Sequence, residues 1–286
     1  MTIPQIINEL DSMDLTKTNE CKKFISFIIP HIVSELPWLH HPIYLGTIIS
    51  RCRKDAPNRN KESFGCKPAE LVNDFQRASI PHESVFYGAV GDSNSEDGDF
   101  IAMLETSKLH RDKLARGQEV IYVSRWRVTK EIDPALICHP NVYVDSRSNG
   151  FVNEMQRNYK RRLPDCRVEK DFIPTFDMLV EFVARQFAKR VREGENFQYM
   201  ISAYFAHFSL KKDEGIIYPS VQSKGRLGYN VALKQDVVDN NLEFISAEKH
   251  ILYKADDYML VPANIYSSEH LAASLGISSI EILPII

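Results

Sequence analysis

EGIIYPSVQSKGRLGYNVAL, residues 214–233, predicts two short strands joined by a polar turn. The first half is apolar as far as Tyr218, and Pro219 ends it because proline lacks the amide that a continuing strand needs. A glycine-containing turn then leads into a second apolar run, so we expect Ser220, just past the strand end, to face Asn230 across a hairpin. Composition alone favours an ordinary hairpin, since Ser and Gly are common wherever strands turn.

The whole chain has the composition of a globular protein. Its 286 residues are 44% hydrophobic and 26% charged, with a net charge of -3, so a nucleic-acid partner, which normally needs a clustered basic surface, is not expected. The five cysteines are odd in number and form no CxxC pair, which fits a reducing cytoplasm and predicts neither a disulfide framework nor a zinc ribbon. The chain starts without a secretory signal, and its most apolar stretch, residues 24–33, is well short of the roughly 20 residues of a membrane span.

Residues 1–42 are predicted to form a helical extension. Thr2 is a suitable cap for a first helix, and a second helix is expected to begin near Asn19 and to kink or end at Pro30. We expect this extension to cover the domain or to dock a partner. The adjacent His40 and His41 do not predict a metal site, because no third ligand lies at a suitable spacing.

Residues 43–286 alternate strands and helices unevenly, which predicts a mixed α/β (α+β) domain. Residues 91–99 are predicted to be an acidic loop. The cationic residues 145–171 are interpreted as a solvated insertion, with a nucleic-acid contact as the weaker alternative. The predicted strands are residues 43–53, 84–90, 118–128, 215–218, 229–233, 243–254 and 258–265, and the predicted helices are residues 100–114, 176–191, 197–210 and 271–275.

Charged side chains upstream of the hairpin occur in a fixed order. Arg51 and Arg53 are two apart on a predicted strand, so both guanidinium groups should share one face, with Cys52 on the other. Glu105, taken alone, is typical of a carboxylate on a helix surface. Together with three other segments these residues form the series Arg51-Cys52-Arg53, Arg77-Ala78-Ser79-Ile80-Pro81, Tyr87-Gly88-Ala89, Ala102-Met103-Leu104-Glu105 and Gly215-Ile216-Ile217-Tyr218-Pro219-Ser220.

This order and spacing resemble the RES domain family, which is named for its Arg, Glu and Ser and is similar in fold to ADP-ribosyltransferases. The resemblance covers roughly residues 44–233. The N-terminal helices precede this range, and the cationic segment is an insertion that the resemblance does not cover. The chain departs from the family pattern at Gln76, Ser79 and Ile80, where the family has Gly, Asn and Pro.

Members of the RES family degrade NAD, many of them as toxins restrained by an antitoxin. The resemblance implies that NAD is a substrate and that neither a cofactor nor a metal is used; the chain also lacks a glycine-rich phosphate loop. Glu105 would stabilise an oxocarbenium-like transition state, Arg51 with Arg53 or Arg77 would bind the pyrophosphate, and Ser220 would orient the ribose or the nicotinamide. The implied catalytic residues are Glu105, Arg51 and Ser220, and the implied NAD-binding residues are Arg53, Arg77, Tyr87, Tyr218 and Asn230.

Several alternatives stay open at this point. The protein would cleave NAD by hydrolysis or by phosphorolysis, or it would transfer ADP-ribose to a protein or RNA acceptor. A catalytically inactive RES-like binding module is the third alternative. The partners to expect are NAD and a cognate antitoxin, a homo-oligomer stays open, and a membrane is not expected.

Overall fold

One sheet organises the part of the chain that the computed structural model describes, which comprises residues 1–35, 39–91, 95–112, 114–143, 150–162, 170–223, 227–255 and 258–260. Its strands are β1 (Ile48–Arg53), β2 (Phe86–Gly91), β3 (Gly117–Val128), β4 (Ala135–Leu136), β5 (Gly215–Pro219), β6 (Gly228–Leu233), β7 (Leu242–Ala255) and β8 (Tyr258–Leu260). In these described residues the sheet has eight strands in the order β4-β5-β6-β2-β1-β3-β7-β8. Every pairing is antiparallel except β4 with β5.

Helices cover both faces of the sheet, which confirms the mixed α/β class. Alternate residues of β5 show this, because Ile216 and Tyr218 join one buried apolar cluster and Ile217 joins another. The helices are α1 (Ile3–Ser12), α2 (Thr18–Glu35), α3 (Lys61–Phe64), α4 (Ser95–Thr106), α5 (Lys108–Arg111), α6 (Gly150–Arg162), α7 (Ile173–Ala188), α8 (Met200–Ser209) and α9 (Gln235–Asn241).

The N-terminal segment is helical as predicted and is part of the main core. α1 packs on α7 and α2 packs on α8, and all four helices contribute to one apolar cluster. Pro30 lies inside α2 without ending it. Its neighbours Ile29 and Ile32 are buried, and we attribute the continuity of the helix to this packing, which offsets the main-chain hydrogen bond that proline removes.

The predicted acidic loop at residues 91–99 is wrong from Ser95 onward, because α4 begins there. Asp99, expected on the surface, is buried and accepts hydrogen bonds from Arg125 Nε at 2.9 Å and Nη2 at 2.6 Å. It also accepts one from the Ser50 hydroxyl. A carboxylate paired in this way is stable inside the protein, so the charge of Asp99 did not mean that its side chain is exposed to solvent.

Other elements also differ from the prediction. The expected helix at residues 100–114 is divided at Ser107, whose hydroxyl caps α5 by accepting a hydrogen bond from the His110 amide at 3.1 Å. β1 begins at Ile48 and not at residue 43, because Gly46 adopts a left-handed φ of +86° in a turn. α9 was not predicted.

The cationic segment is more than a solvated insertion. Its described part, α6, buries Val152, Met155 and Tyr159 against the core. The remainder of residues 145–171 is described only from residue 170 onward, and the predicted polar turn at 224–226, the end of the strand at 258–265 and the helix at 271–275 lie outside the described residues. Across the described ranges, no helix combines the length and apolar character that a bilayer crossing requires.

Candidate functional site

A cavity of about 520 Å³ opens where β1 and β2 part. Ser50 and Ala89 form the registered pair between these strands, and the next residue on each strand, Arg51 and Gly88, lines the cavity. All of the predicted site residues except Arg53 and Ser220 contribute to its wall, namely Arg51, Arg77, Tyr87, Glu105, Tyr218 and Asn230. The fold therefore brings together residues that are as far apart in sequence as β1 and β6.

Glu105 is held in place by four hydrogen bonds to one carboxylate oxygen. Oε1 accepts from the Ser220 hydroxyl at 2.9 Å and from the Asn230 side-chain amide at 3.0 Å. It also accepts from the main-chain amides of Val221 at 3.1 Å and Gln222 at 3.3 Å. Within the described residues every hydrogen bond to this carboxylate reaches Oε1, so these bonds fix its orientation in the cavity wall.

Ser220 is buried and acts through Glu105. Its hydroxyl donates to Glu105 and accepts a hydrogen bond from the Ser223 amide at 3.3 Å, which closes the turn after β5. The expected pairing of Ser220 with Asn230 across the hairpin is wrong in register, since Asn230 lies opposite Tyr218. The two side chains meet nonetheless, because both donate to the same oxygen of Glu105.

Gly228 allows the hairpin to pass this close to β2. Its φ is +148°, and an added Cβ would overlap the carbonyl oxygen of Val90 on the neighbouring strand. A side chain at this position would separate β6 from β2 and move Asn230 away from Glu105. Gly228, which was predicted to belong to the polar turn, is thus required for close packing at the start of β6.

Arg51 is a buried cation without a carboxylate partner among the described residues. It is 7% exposed, its Nη1 donates to the Tyr87 carbonyl oxygen at 3.2 Å, and its guanidinium lies 4.5 Å from the centre of the Phe86 ring. Its Nε is buried and has no hydrogen-bond partner. Burial lowers the pKa of the guanidinium to about 10, and the nearby charge of Arg53 adds to this effect, yet the group stays charged at neutral pH.

Arg53 does not line the cavity. Its Nε donates to the Asp55 carboxylate at 3.2 Å, whereas Arg51, on the same strand, reaches the cavity wall. Of these two arginines, Arg51 is therefore the one placed to contact a molecule bound in the cavity. Cys52 packs against the cluster around α4, as the alternation of the strand predicts.

Arg77 and Tyr87 hold the loop that forms one side of the cavity. The Arg77 guanidinium donates to the carbonyl oxygens of Phe187 and Lys189 at the end of α7, and to the Tyr199 hydroxyl at 3.3 Å. The Tyr87 hydroxyl donates to the Ser79 hydroxyl at 3.0 Å and accepts from the Ala78 amide at 3.1 Å. Burial raises the pKa of Tyr87, so the phenol stays neutral. These contacts give both residues a positioning role in the apo protein.

Tyr218 contributes an aromatic wall. It is buried, its ring centre lies 5.3 Å from that of Phe187, and burial raises its pKa well above the ordinary value. Sequence reasoning missed several other lining residues, which lie in loops, in turns and at the ends of helices, where no local signal distinguishes a cavity residue from a surface one. They include Lys67, Phe75, Thr106, Arg111, Tyr199 and Gln222.

The cavity combines two kinds of chemistry. A fixed carboxylate on one wall would stabilise positive charge that develops on a bound molecule, and an unpaired buried cation on another wall would bind an anionic group. In the described part of the chain, no group of three or more His, Cys, Asp or Glu side chains is arranged to hold a metal ion. Comparisons of the chain with known protein families and with curated proteins find no match.

Proposed function

We propose that this protein binds NAD in the cavity between β1 and β2 and cleaves the bond between nicotinamide and ribose. The observation that carries the proposal is that an uncompensated buried cation, Arg51, and a carboxylate fixed by four donors, Glu105, line one cavity. An unpaired buried charge is costly, so its retention in a cavity wall points to an anionic ligand. The volume of about 520 Å³ is in the range of small-molecule sites.

In the proposed reaction the C–N bond between ribose and nicotinamide breaks heterolytically. The electron pair goes to the pyridinium nitrogen, so nicotinamide leaves as a neutral molecule and the ribose becomes an oxocarbenium-like cation. The Glu105 carboxylate stabilises that cation. Water then adds to the anomeric carbon and releases one proton to solvent, which gives ADP-ribose. Attack by inorganic phosphate would instead give ADP-ribose 1-phosphate.

The other residues bind the substrate or position these two groups. Arg51 binds the pyrophosphate, and Tyr218 with Tyr87 forms an aromatic wall for the nicotinamide. Ser220 and Asn230 hold Glu105 in the orientation that faces the ribose, and neither has to act as a nucleophile. Arg77 fixes the wall by binding main-chain carbonyl oxygens and is not required to contact phosphate.

The proposal extends to the class of protein. A RES-type, ADP-ribosyltransferase-like domain that consumes NAD would act as a growth-inhibiting toxin or defence effector, and a cognate antitoxin would restrain it. The support for this extension is the ordered series of motifs, together with the presence of Arg51 and Glu105 in one cavity wall and the hydrogen bond from Ser220 to Glu105.

The test is incubation of the purified protein with NAD, with and without phosphate, followed by identification of the products. Free nicotinamide with ADP-ribose is expected for hydrolysis, and ADP-ribose 1-phosphate for phosphorolysis. Loss of NAD only in the presence of a protein or RNA acceptor would replace this proposal with ADP-ribosyl transfer. Nicotinamide release no faster than a buffer blank with phosphate, without phosphate and with an acceptor would leave only a binding module.

A further inference from the structure

Lys67 is a further cation in the wall of the same cavity, which Arg77 and Arg111 also line, and no sequence motif pointed to it. Its main chain is fixed, because its carbonyl oxygen accepts a hydrogen bond from the Ser84 hydroxyl at 2.6 Å and Pro68 restricts the next residue. The segment that leads to Lys67 packs against the strand that carries Arg51, because α3 contacts β1 and Phe64 shares a buried cluster with Ile49. Arg51 and Lys67 thus line the same cavity from neighbouring segments of the chain.

Neither cation is neutralised by the protein within the described residues. Arg51 and Lys67 have no ion pair there, in contrast to Lys54, Lys108 and Arg125, which pair with carboxylates. Two carboxylates line the cavity. Glu105 is occupied by its four donors, and Asp74 is exposed to solvent, where it compensates a buried cation weakly.

Two cations on different segments of chain, both left without a protein partner, fit a ligand with two neighbouring phosphoryl groups. A guanidinium binds one phosphoryl group through paired N–H donors, and an ammonium on a flexible stem adjusts to the other. A ligand with one phosphoryl group would be satisfied by the buried, desolvated Arg51 alone. The arrangement therefore predicts a preference for a diphosphate that Arg51 by itself would not give.

We propose that Lys67 is the second diphosphate ligand of this cavity and determines specificity for a dinucleotide over a mononucleotide. The inference rests on the proposed function for the identity of the substrate, although the diphosphate preference is measurable without any cleavage. Lys67 contacts neither the reacting bond nor Glu105 in this scheme, so its effect appears in binding and in KM and not in kcat.

The test is the binding of ADP-ribose and AMP to the full-length protein by calorimetry, for the parent and for Lys67→Gln. We expect Lys67→Gln to weaken ADP-ribose binding about tenfold and AMP binding less than about threefold, and to reduce the salt dependence of ADP-ribose binding. Lys61→Gln is the matched control: Lys61 is exposed on α3, does not line the cavity, and loses the same charge. Lys67→Arg should retain most of the affinity.

The outcomes separate this inference from the proposed function. If NAD is cleaved and Lys67→Gln leaves KM for NAD unchanged, the inference fails and the function stands. If NAD is not cleaved but ADP-ribose binding depends on Lys67 as described, the inference stands and the proposed function, NAD cleavage, fails. Equal losses for ADP-ribose and AMP, or no binding of ADP-ribose by the parent, would overturn the inference, and melting temperatures confirm that each variant is folded.

Discussion

The two walls of the cavity differ in how fully the protein satisfies the hydrogen bonds of their charged residues. On the hairpin side, Glu105 receives hydrogen bonds from two side chains and two main-chain amides before any ligand is present. On the β1 side, Arg51 has one hydrogen bond and a buried Nε without a partner. The protein thus orients the carboxylate, whereas the hydrogen-bonding capacity of the cation is not filled by the described residues. A group that stabilises a transition state must be fixed in advance, and a group that binds substrate gains by pairing with it.

The largest expected effect comes from removing the charge of the oriented carboxylate. Glu105→Gln keeps the shape and an acceptor oxygen for the four donors but removes the charge opposite the developing cation. We expect turnover of NAD to fall roughly a hundredfold or more. Stability should fall by about 1 kcal/mol, because hydrogen bonds to a charged acceptor become neutral ones. Steady-state kinetics and thermal melting measure both effects, with the exposed Glu62→Gln as control. Full turnover in Glu105→Gln would show that the Glu105 carboxylate does not stabilise the developing cation.

The unpaired cation should behave differently when it is replaced. Arg51→Met removes a buried charge without a partner, so we expect the melting temperature to be unchanged or higher. Binding of ADP-ribose should weaken by roughly thirty- to a hundredfold, since a charge-assisted contact is lost. Arg53→Met makes the same charge change on the same strand outside the cavity and should bind as the parent does. A strongly destabilised Arg51→Met would contradict the difference drawn between the two walls.

A smaller effect is expected from the hydroxyl that orients Glu105. Ser220→Ala removes one of the four donors and leaves the Ser223 amide without its acceptor, at a cost of about 1–2 kcal/mol in stability. Turnover should fall about tenfold with little change in KM, because three donors remain. Ser223→Ala is the control, since the Ser223 hydroxyl is buried without a hydrogen bond. Equal kinetic effects of the two substitutions would argue against a positioning role for Ser220.

The last prediction concerns the pH dependence of stability and the buried side chain of His110, which lies close enough to Glu105 to be affected by its charge. Burial lowers the pKa of His110 to about 4, an effect only partly offset by Glu105. The unfolded chain therefore binds a proton at His110 below about pH 6.5, whereas the folded protein resists it until about pH 4. Stability should fall as pH is lowered through this interval, by roughly 3 kcal/mol in total, because each pKa unit corresponds to about 1.4 kcal/mol. The free energy of unfolding, measured with denaturant between pH 4 and 7, should depend less steeply on pH for His110→Gln than for the parent. An unchanged dependence on pH would count against this assignment. The charged groups that act on His110 are Glu105, Arg190, Lys254 and Arg111.

The hairpin was the most predictable part of the fold because its signals are local. Apolar runs, Pro219 and the glycine-containing turn define β5 and β6 within 20 residues, and they place Ser220 correctly past the strand end. The register was mistaken by two residues, because sequence shows that two strands pair but not which residues are opposite. The amides of residues 221 and 222, which contact Glu105, belong to the main chain and have no signature at all.

Residues whose roles depend on distant contacts were predicted less well. Arg77 was expected to bind phosphate, yet its donors reach the carbonyl oxygens at the end of α7, more than a hundred positions away. Asp99 seemed to belong to an acidic loop because sequence does not show that Arg125 pairs with it. Lys67 lies in a polar segment with three prolines nearby, where nothing distinguishes a cavity residue from a surface one.

Because the N-terminal helices pack on elements from much later in the chain, part of the core forms late during synthesis on the ribosome. α2 ends at Glu35, whereas its partner α8 begins at Met200. At a synthesis rate of roughly 5–20 residues per second, the apolar face of α2 waits on the order of ten to thirty seconds for that partner. Asn230 emerges later still, so a growing chain exposes its first apolar surface to chaperones well before the cavity wall is complete.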